Sequence, residues 1–340
     1  MSQWFTGVER HTPSGITHEP TRRFLAEVGL PRTAALIRFA PEGPDATWPG
    51  LHRIGAYGDR GRVLLDPGTG QVYSCERGSR PVAMSVDVSA LVRDAHLAED
   101  LRYDREPRRT VDELLALLAA TEPELPATGS FWPTAFVMGQ LRPAAVSGDG
   151  LALRITDEML ALVYVREIRG FPEESLPAGI THGPTRRFLH ATGVIDTWAC
   201  LEVPDLEERL LTLAEATARR NEEGEELPDA PPDAEHLIVV GYILEDTDLV
   251  VDGRTGLVLL WEQYEGELTP CSTDLSTLAF TLWAVDHVRA EGRRTGLRMD
   301  GVWKTIIRDV LSDIDPVAWA ETWGFWPNLI LDDANGIGPD

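Results

Sequence analysis

Lysine is almost missing from this 340-residue chain: Lys304 stands alone, and arginine supplies every other base. Schiff-base chemistry or a Walker-type phosphate loop is thereby confined to Lys304, and Val302-Trp303-Lys304 is no glycine-rich loop. Cysteine is scarce as well. Cys75, Cys200 and Cys271 are odd in number, far apart and in no CxxC pair. That excludes a disulfide scaffold and a structural zinc site, and it fits a reducing cytoplasm. Bases are outnumbered 31 to 55 by acids, for a formal net charge of −24. Duplex affinity rests on bases neutralising phosphates, so nucleic acid is not the expected partner. An anionic membrane surface is disfavoured for the same reason. No uninterrupted apolar run reaches about 18 residues, so no transmembrane helix is expected. The first residues lack an apolar h-region and do not read as a signal peptide.

Composition otherwise fits a folded protein, with 43% apolar and 25% charged residues. The length suggests two domains of roughly 150 residues each. Acidity is concentrated in one of them. Residues 1–170 carry a net charge of −3 and residues 171–340 carry −21. Such a field keeps a protein in solution, and it also steers a basic partner toward the half that carries it.

The chain is written twice. Gly15-Ile16-Thr17-His18-Glu19-Pro20-Thr21-Arg22-Arg23-Phe24-Leu25 recurs 164 residues later, from Gly179 to Leu189, with ten of eleven residues identical. Asp66-Pro67-Gly68-Thr69-Gly70-Gln71-Val72, with Gly55 before it, matches Asp252-Gly253-Arg254-Thr255-Gly256-Leu257-Val258 and Gly241, at an offset of 186. Asp87-Val88-Ser89-Ala90-Leu91 matches Asp274-Leu275-Ser276-Thr277-Leu278, and Phe131-Trp132-Pro133 matches Phe325-Trp326-Pro327. Four blocks in one order define a first module over 1–140, a linker over 141–169 and a second module over 170–340. The widening offset places 22 extra residues between the first and second blocks of copy two.

Each block has a mechanical meaning. Pro20 and Pro184 suit the first turn of a short helix, which Gly29 and Gly193 stop. The Asp-x-x-Thr-Gly run is a hairpin turn between apolar strands. Asp87 and Asp274 open a further helix, in which Leu275, Leu278, Leu282 and Val285 share a face. Thr110 and Glu113 form a capping box ahead of Leu114 and Leu118. Strands cluster in mid-module with helices around them, so the predicted class is α+β rather than alternating βαβ.

The Thr-Arg-Arg-Phe-Leu run ending in Gly29-Leu30-Pro31, the glycine before the hairpin, the Asp-x-x-Thr-Gly-x-Val turn and the helix after it resemble the SUKH superfamily, and its SUKH-4 immunity proteins most of all. The second copy departs from the pattern at Gly193-Val194-Ile195 and in its insertion. The resemblance implies two tandem modules, each a curved antiparallel sheet packed by helices. It also implies a non-enzymatic, cytoplasmic, bacterial binding protein that neutralises a polymorphic toxin such as a nuclease or deaminase, and the expected mode is occlusion of the toxin domain. The alternative within the superfamily is a cytoplasmic regulatory adaptor with no toxin. No catalytic residue, metal or cofactor comes with the resemblance.

Searching the residues for chemistry gives little. There is no Gly-x-Ser-x-Gly elbow, and Asp246-Thr247-Asp248 lacks the ligand spacing and final Glu of a calcium loop. His18 and His182 read as helix-start hydrogen-bonding groups, and one arginine of each doublet, Arg22-Arg23 and Arg186-Arg187, reads as the partner of a nearby acid. Asp66 and Asp252 read as turn residues, Cys75 and Cys200 as small core residues, and Trp132 and Trp326 as core plugs. Trp303, Trp319 and Trp323 add aromatic mass nearby, for the core or for an interface. The richest segment is the insertion near 206–235. Leu206, Leu210 and Leu213 suggest a helical stripe. Residues 221–235 then hold seven acids and no base: Glu222, Glu223, Glu225, Glu226, Asp229, Asp233 and Glu235. Two readings stand, a solvated disordered loop and a negative arm that docks on a basic toxin surface. The second makes these seven residues the candidate partner-binding site.

Overall fold

The two strongest repeat motifs meet in space, and their meeting point organises each module. In a computed structural model, residues 7–10, 14–34, 36–58, 61–76, 78–103, 109–125, 131–141, 148, 150–161, 163, 168–195, 197–198, 201–202, 209–225, 227–243, 246–295, 301–320 and 324–331 are described. They divide into two compact units. One is drawn from 1–143 and 288–310, the other from 144–287 and 311–337.

The first unit opens with β1 (Val8–Glu9), α1 (Glu19–Glu27) and β2 (Leu30–Pro31), and β1 pairs antiparallel with β2. Strands β3 (Thr33–Ala34), β4 (Ile37–Pro44), β5 (His52–Tyr57), β6 (Gly61–Leu65), β7 (Val72–Cys75) and β8 (Val82–Ser85) form one antiparallel sheet in chain order. Register shifts between Phe39 and Gly43 and between Arg53 and Gly55 bend β4 and β5. Helices α2 (Val88–Tyr103), α3 (Val111–Thr121) and α4 (Phe131–Gly139) follow. The predicted capping box is present: Thr110 Oγ1 accepts from Glu113 N, and Glu113 Oε2 accepts from Thr110 N.

The joint of the module is the hairpin turn between β6 and β7. Asp66 Oδ1 accepts from the N–H groups of Gly68 and Thr69. The Thr17 and His18 N–H groups both donate to Pro67 O at 2.9 Å, so the start of α1 sits on the turn. Gly70 lies at φ +81°, where a Cβ would come within 2.2 Å of the His18 ring. Above the sheet, Trp132 is fully buried with its indole N–H on Ser85 Oγ, and Phe131 meets Tyr57 edge-on.

The second unit repeats the plan. α5 (Asp157–Ala161) precedes β9 (Ile168–Arg169), α6 (Gly183–Ala191) and β10 (Val194–Ile195), and β9 pairs with β10 as β1 does with β2. Next come β11 (Thr197–Trp198), β12 (Leu201–Glu202), α7 (Leu213–Glu223), β13 (Leu237–Ile243), β14 (Thr247–Asp252), β15 (Val258–Glu262) and β16 (Leu268–Ser272). Their six-stranded sheet has the same order. Helices α8 (Leu275–Thr295), α9 (Gly301–Ile314) and α10 (Phe325–Leu331) close the chain, and the division between units falls inside α8 and α9. The joint recurs as well. Thr181 and His182 donate to Gly253 O, and a Cβ on Gly256 would lie 2.6 Å from the His182 ring. Trp326 donates its indole N–H to Cys271 O. Residues 152–160 pack here, with Ala152 N on Asp274 Oδ2, Leu153 N on Ser276 Oγ, and Leu153, Ile155 and Leu160 buried. The fold is α+β, and its two sheets carry the same topology.

Candidate functional site

The two sheets part company in what connects their matching strands. In the first unit a short turn, residues 45–51, joins β4 to β5. In the second, residues 203–236 join β12 to β13, and α7 lies within them. The 22 extra residues of the second copy lie within this connection.

Local sequence makes this helix. Thr212 and Glu215 form a second capping box, with Thr212 Oγ1 accepting from Glu215 N and Glu215 Oε2 accepting from Thr212 N. Arg209 grips the same carboxylate, and with the capping N–H it holds Glu215 below the usual range despite partial burial. Leu213, Ala216 and Thr217 are the buried face. Gly224 ends the helix at φ +100°. Asn221 Oδ1 then accepts from Leu227 N, and the chain returns along the helix with Ala214 N on Ala234 O. Leu213, Ala216, Ala234, Leu237, Val239, Val250 and Trp261 form one buried cluster, with Tyr242 and Leu259 packed against it. Residues 209–225 and 227–236 of the insertion therefore form an ordered cover on the sheet face formed by Val239, Val250 and Trp261, not a solvated loop. The predicted stripe is corrected accordingly. The helix starts at Leu213, Leu210 is buried before it, and Leu206 lies outside the described residues.

The cover is fastened by a buried ion pair. Arg220 donates two hydrogen bonds, 2.8 and 2.7 Å, to the carboxylate of Asp248, whose side chain is wholly buried. Gln263 Nε2 donates to the same carboxylate, and the guanidinium lies 5.3 Å from the Tyr242 ring centroid. Burial alone lowers the basicity of Arg220, but the bonds to Asp248 outweigh it and raise it.

Of the seven predicted residues, six are described, and all six are exposed: Glu222, Glu223, Glu225, Asp229, Asp233 and Glu235. Glu226 lies outside the described residues. Glu223 pairs with Arg219, and Asp233 pairs with Arg254. The other four have no basic partner among the described residues. Glu222 and Glu223 occupy the last turn of α7, the negative end of the helix dipole, where acids destabilise. The ion pair with Arg219 offsets this for Glu223, but local stability does not explain the placement of Glu222.

A further part of this surface went unread in the sequence. A Cβ on Gly266 would lie 3.4 Å from Pro228, so the turn between β15 and β16 borders the acidic return segment. Glu262, Glu265 and Glu267 are exposed there, with Asp246 across the turn. The signal was available: the same turn in the first copy reads Glu76-Arg77-Gly78-Ser79-Arg80-Pro81.

The remaining candidates are structural. His18 and His182 each hydrogen-bond the hydroxyl three residues on, Thr21 and Thr185, at 2.8 Å. Arg22 pairs with Glu19 and Arg186 with Glu173. Burial pushes the Asp66 and Asp252 carboxyls up, but turn N–H groups and neighbouring hydroxyls carry both below the usual range. Cys75 and Cys271 are buried free thiols, Trp303 is buried and Trp319 half-buried, while Cys200 and Trp323 lie outside the described residues. Among the described residues no group of three His, Cys, Asp or Glu side chains could hold a metal ion, and no helix is long and apolar enough to cross a membrane.

No curated protein and no solved structure matches the chain. A family model described as SUKH-4 immunity protein matches it twice, over residues 3–138 and 155–332. Those two matches fall on the two repeated sheets, and together they span most of the sequence: the chain belongs to the SUKH-4 immunity protein family.

Proposed function

We propose that this chain is a non-enzymatic, cytoplasmic immunity protein that neutralises a basic toxin domain by occluding it, with the acidic cover of the second module as the contact. The single observation behind this reading is the placement of the acids. Six exposed carboxylates are carried on an ordered, capped and anchored frame, two of them against the helix dipole. Such a surface accelerates encounter with a cationic partner and rejects anionic ones, including nucleic acid and anionic membranes. A rigid frame also spares the entropy that a disordered acidic tail would lose on binding.

The test measures binding of the full chain to the toxin domain encoded beside its gene, at low and high salt. A variant carrying Glu222→Gln, Glu223→Gln, Glu225→Gln, Asp229→Asn, Asp233→Asn and Glu235→Gln is expected to lose roughly tenfold or more in affinity at low salt and most of its salt dependence. Substitution is preferred to deletion of 221–235, because Ala234 belongs to the cluster that holds the cover in place and Ala230 packs against it. Unchanged affinity with an unchanged salt slope rejects the reading.

A further inference from the structure

The turn between β15 and β16 carries an aromatic side chain that the fold does not use. Tyr264 is 74% exposed and is the one aromatic among the exposed large hydrophobic residues described. Its neighbours are fixed. Gln263 is buried, with its N–H on Asp246 O at 3.0 Å and its side-chain amide on Asp248. The turn is closed by Gly266 N on Glu262 O and by Glu262 N on Glu267 O, with Gly266 at φ +69°. Tyr264 thus stands on a pinned support beside the buried Arg220–Asp248 pair. The turn also presents Glu262, Glu265 and Glu267, and Asp246 is bonded across it. None of these four carboxylates has a basic partner among the described residues. At the same turn position the first copy places Gly78 between Arg77 and Arg80, so only the second copy has both the ring and the negative charge.

An open aromatic face bordered by carboxylates recognises one chemistry well. A guanidinium stacks on the ring while its forked N–H groups reach the acids, and a compact ammonium gains less from the ring. A ring on a rigid turn also loses little conformational freedom on binding. We infer that Tyr264 is an anchor residue of the partner interface, seating an arginine side chain of a basic protein surface against the turn 262–267. This rests on the acidic-cover reading above and extends the contact from the insertion to the neighbouring hairpin.

The test uses two probes on the full chain at low salt, an all-arginine peptide and an all-lysine peptide of equal length. The intact protein is expected to favour the arginine peptide. Tyr264→Ala is expected to erase that preference, weakening arginine-peptide binding by about two- to fivefold and leaving lysine-peptide binding nearly unchanged. Tyr264→Phe, which keeps the ring, is expected to retain it. The sixfold Gln/Asn variant is expected to weaken both peptides alike. If Tyr264→Ala keeps the full arginine preference while the sixfold variant loses binding, the inference about Tyr264 fails and the acidic-cover reading stands. If neither peptide binds, both fail.

Discussion

The outer faces of the two sheets are built from the same strands in the same register, yet they are covered in opposite ways. Arg62 lies across from Ala56 and Cys75, and Asp248, its counterpart 186 residues later, lies across from Tyr242 and Trp261. In the first unit the sheet supplies the cation and the small residue, while the covering turn supplies the anion and the indole. Arg62 pairs with Asp45, and Trp48 lies beside the Cys75 thiol. In the second unit the sheet supplies the anion and the indole, Asp248 and Trp261. The covering helix supplies the cation, Arg220, and small residues such as Ala216. Both size and charge have changed sides. Packing density and charge neutrality are properties of the buried interface as a whole, so a cover and its sheet are exchangeable only as a matched pair.

The largest expected effect tests how firmly each cover is fastened. Arg220→Ala leaves Asp248 buried with one side-chain donor, Gln263, and is expected to destabilise the second unit by about 3–5 kcal/mol. Arg62→Ala is expected to cost about 1–2 kcal/mol, because Asp45 keeps the N–H groups of Thr47 and Trp48. Urea unfolding of both variants measures the difference. Equal losses would break the proposed asymmetry.

A second contrast concerns protons. Glu122, just after α3, accepts from Val86 N at the end of β8, and Asp315, just after α9, accepts from Thr273 N at the matching place. In the first unit Glu122 faces Asp94, with Arg93 bonded to both carboxylates. In the second unit the position of Asp94 is taken by Thr281. Burial, with the Asp94 carboxyl second, pushes Glu122 from 4.5 up to about 7. A carboxyl raised on folding binds more protons in the native state. The first unit is therefore expected to lose stability as pH rises from 4.5 to about 7, and to change little from this source above that. Asp94→Asn removes the opposing charge and is expected to flatten the profile in urea unfolding at constant ionic strength. A profile as steep as that of the unaltered chain would exclude the carboxyl pair as its origin.

The smallest effect sharpens the comparison. Thr110→Ala and Thr212→Ala remove equivalent capping boxes, one from a helix common to both modules and one from the cover. Each is expected to cost about 1 kcal/mol. A silent Thr212→Ala in thermal unfolding would mean that the cover adds nothing to the stability of its unit.

Much of this architecture was legible because the chain repeats. Gly70 and Gly256, His18 and His182, Asp66 and Asp252 recur because one joint demands them: a turn with an Asp cap, a left-handed glycine and a histidine ring stacked where a side chain would otherwise sit. The insertion was harder to read. Its proline and acid content resembles that of a disordered loop, and the Thr212–Glu215 capping box that starts its helix is a short signal among many acids. The stripe of leucines pointed to a helix, but among its described members only Leu213 lies in α7, and Leu210 is buried ahead of it. Arg220 was invisible as a fastening, because its partner Asp248 lies 28 residues away on a strand.

Local chemistry, then, determined by itself the duplication, the α+β class, the caps and turns, and the concentration of negative charge in the second half. These depend on neighbouring residues and on counting. Only the tertiary structure decided that the acidic insertion is a folded cover, that it and the 262–267 turn border one another, and that Tyr264 is left facing solvent between pinned neighbours. Those facts depend on which distant side chains fill the same volume and neutralise the same buried charge, and spacing along the chain does not encode that.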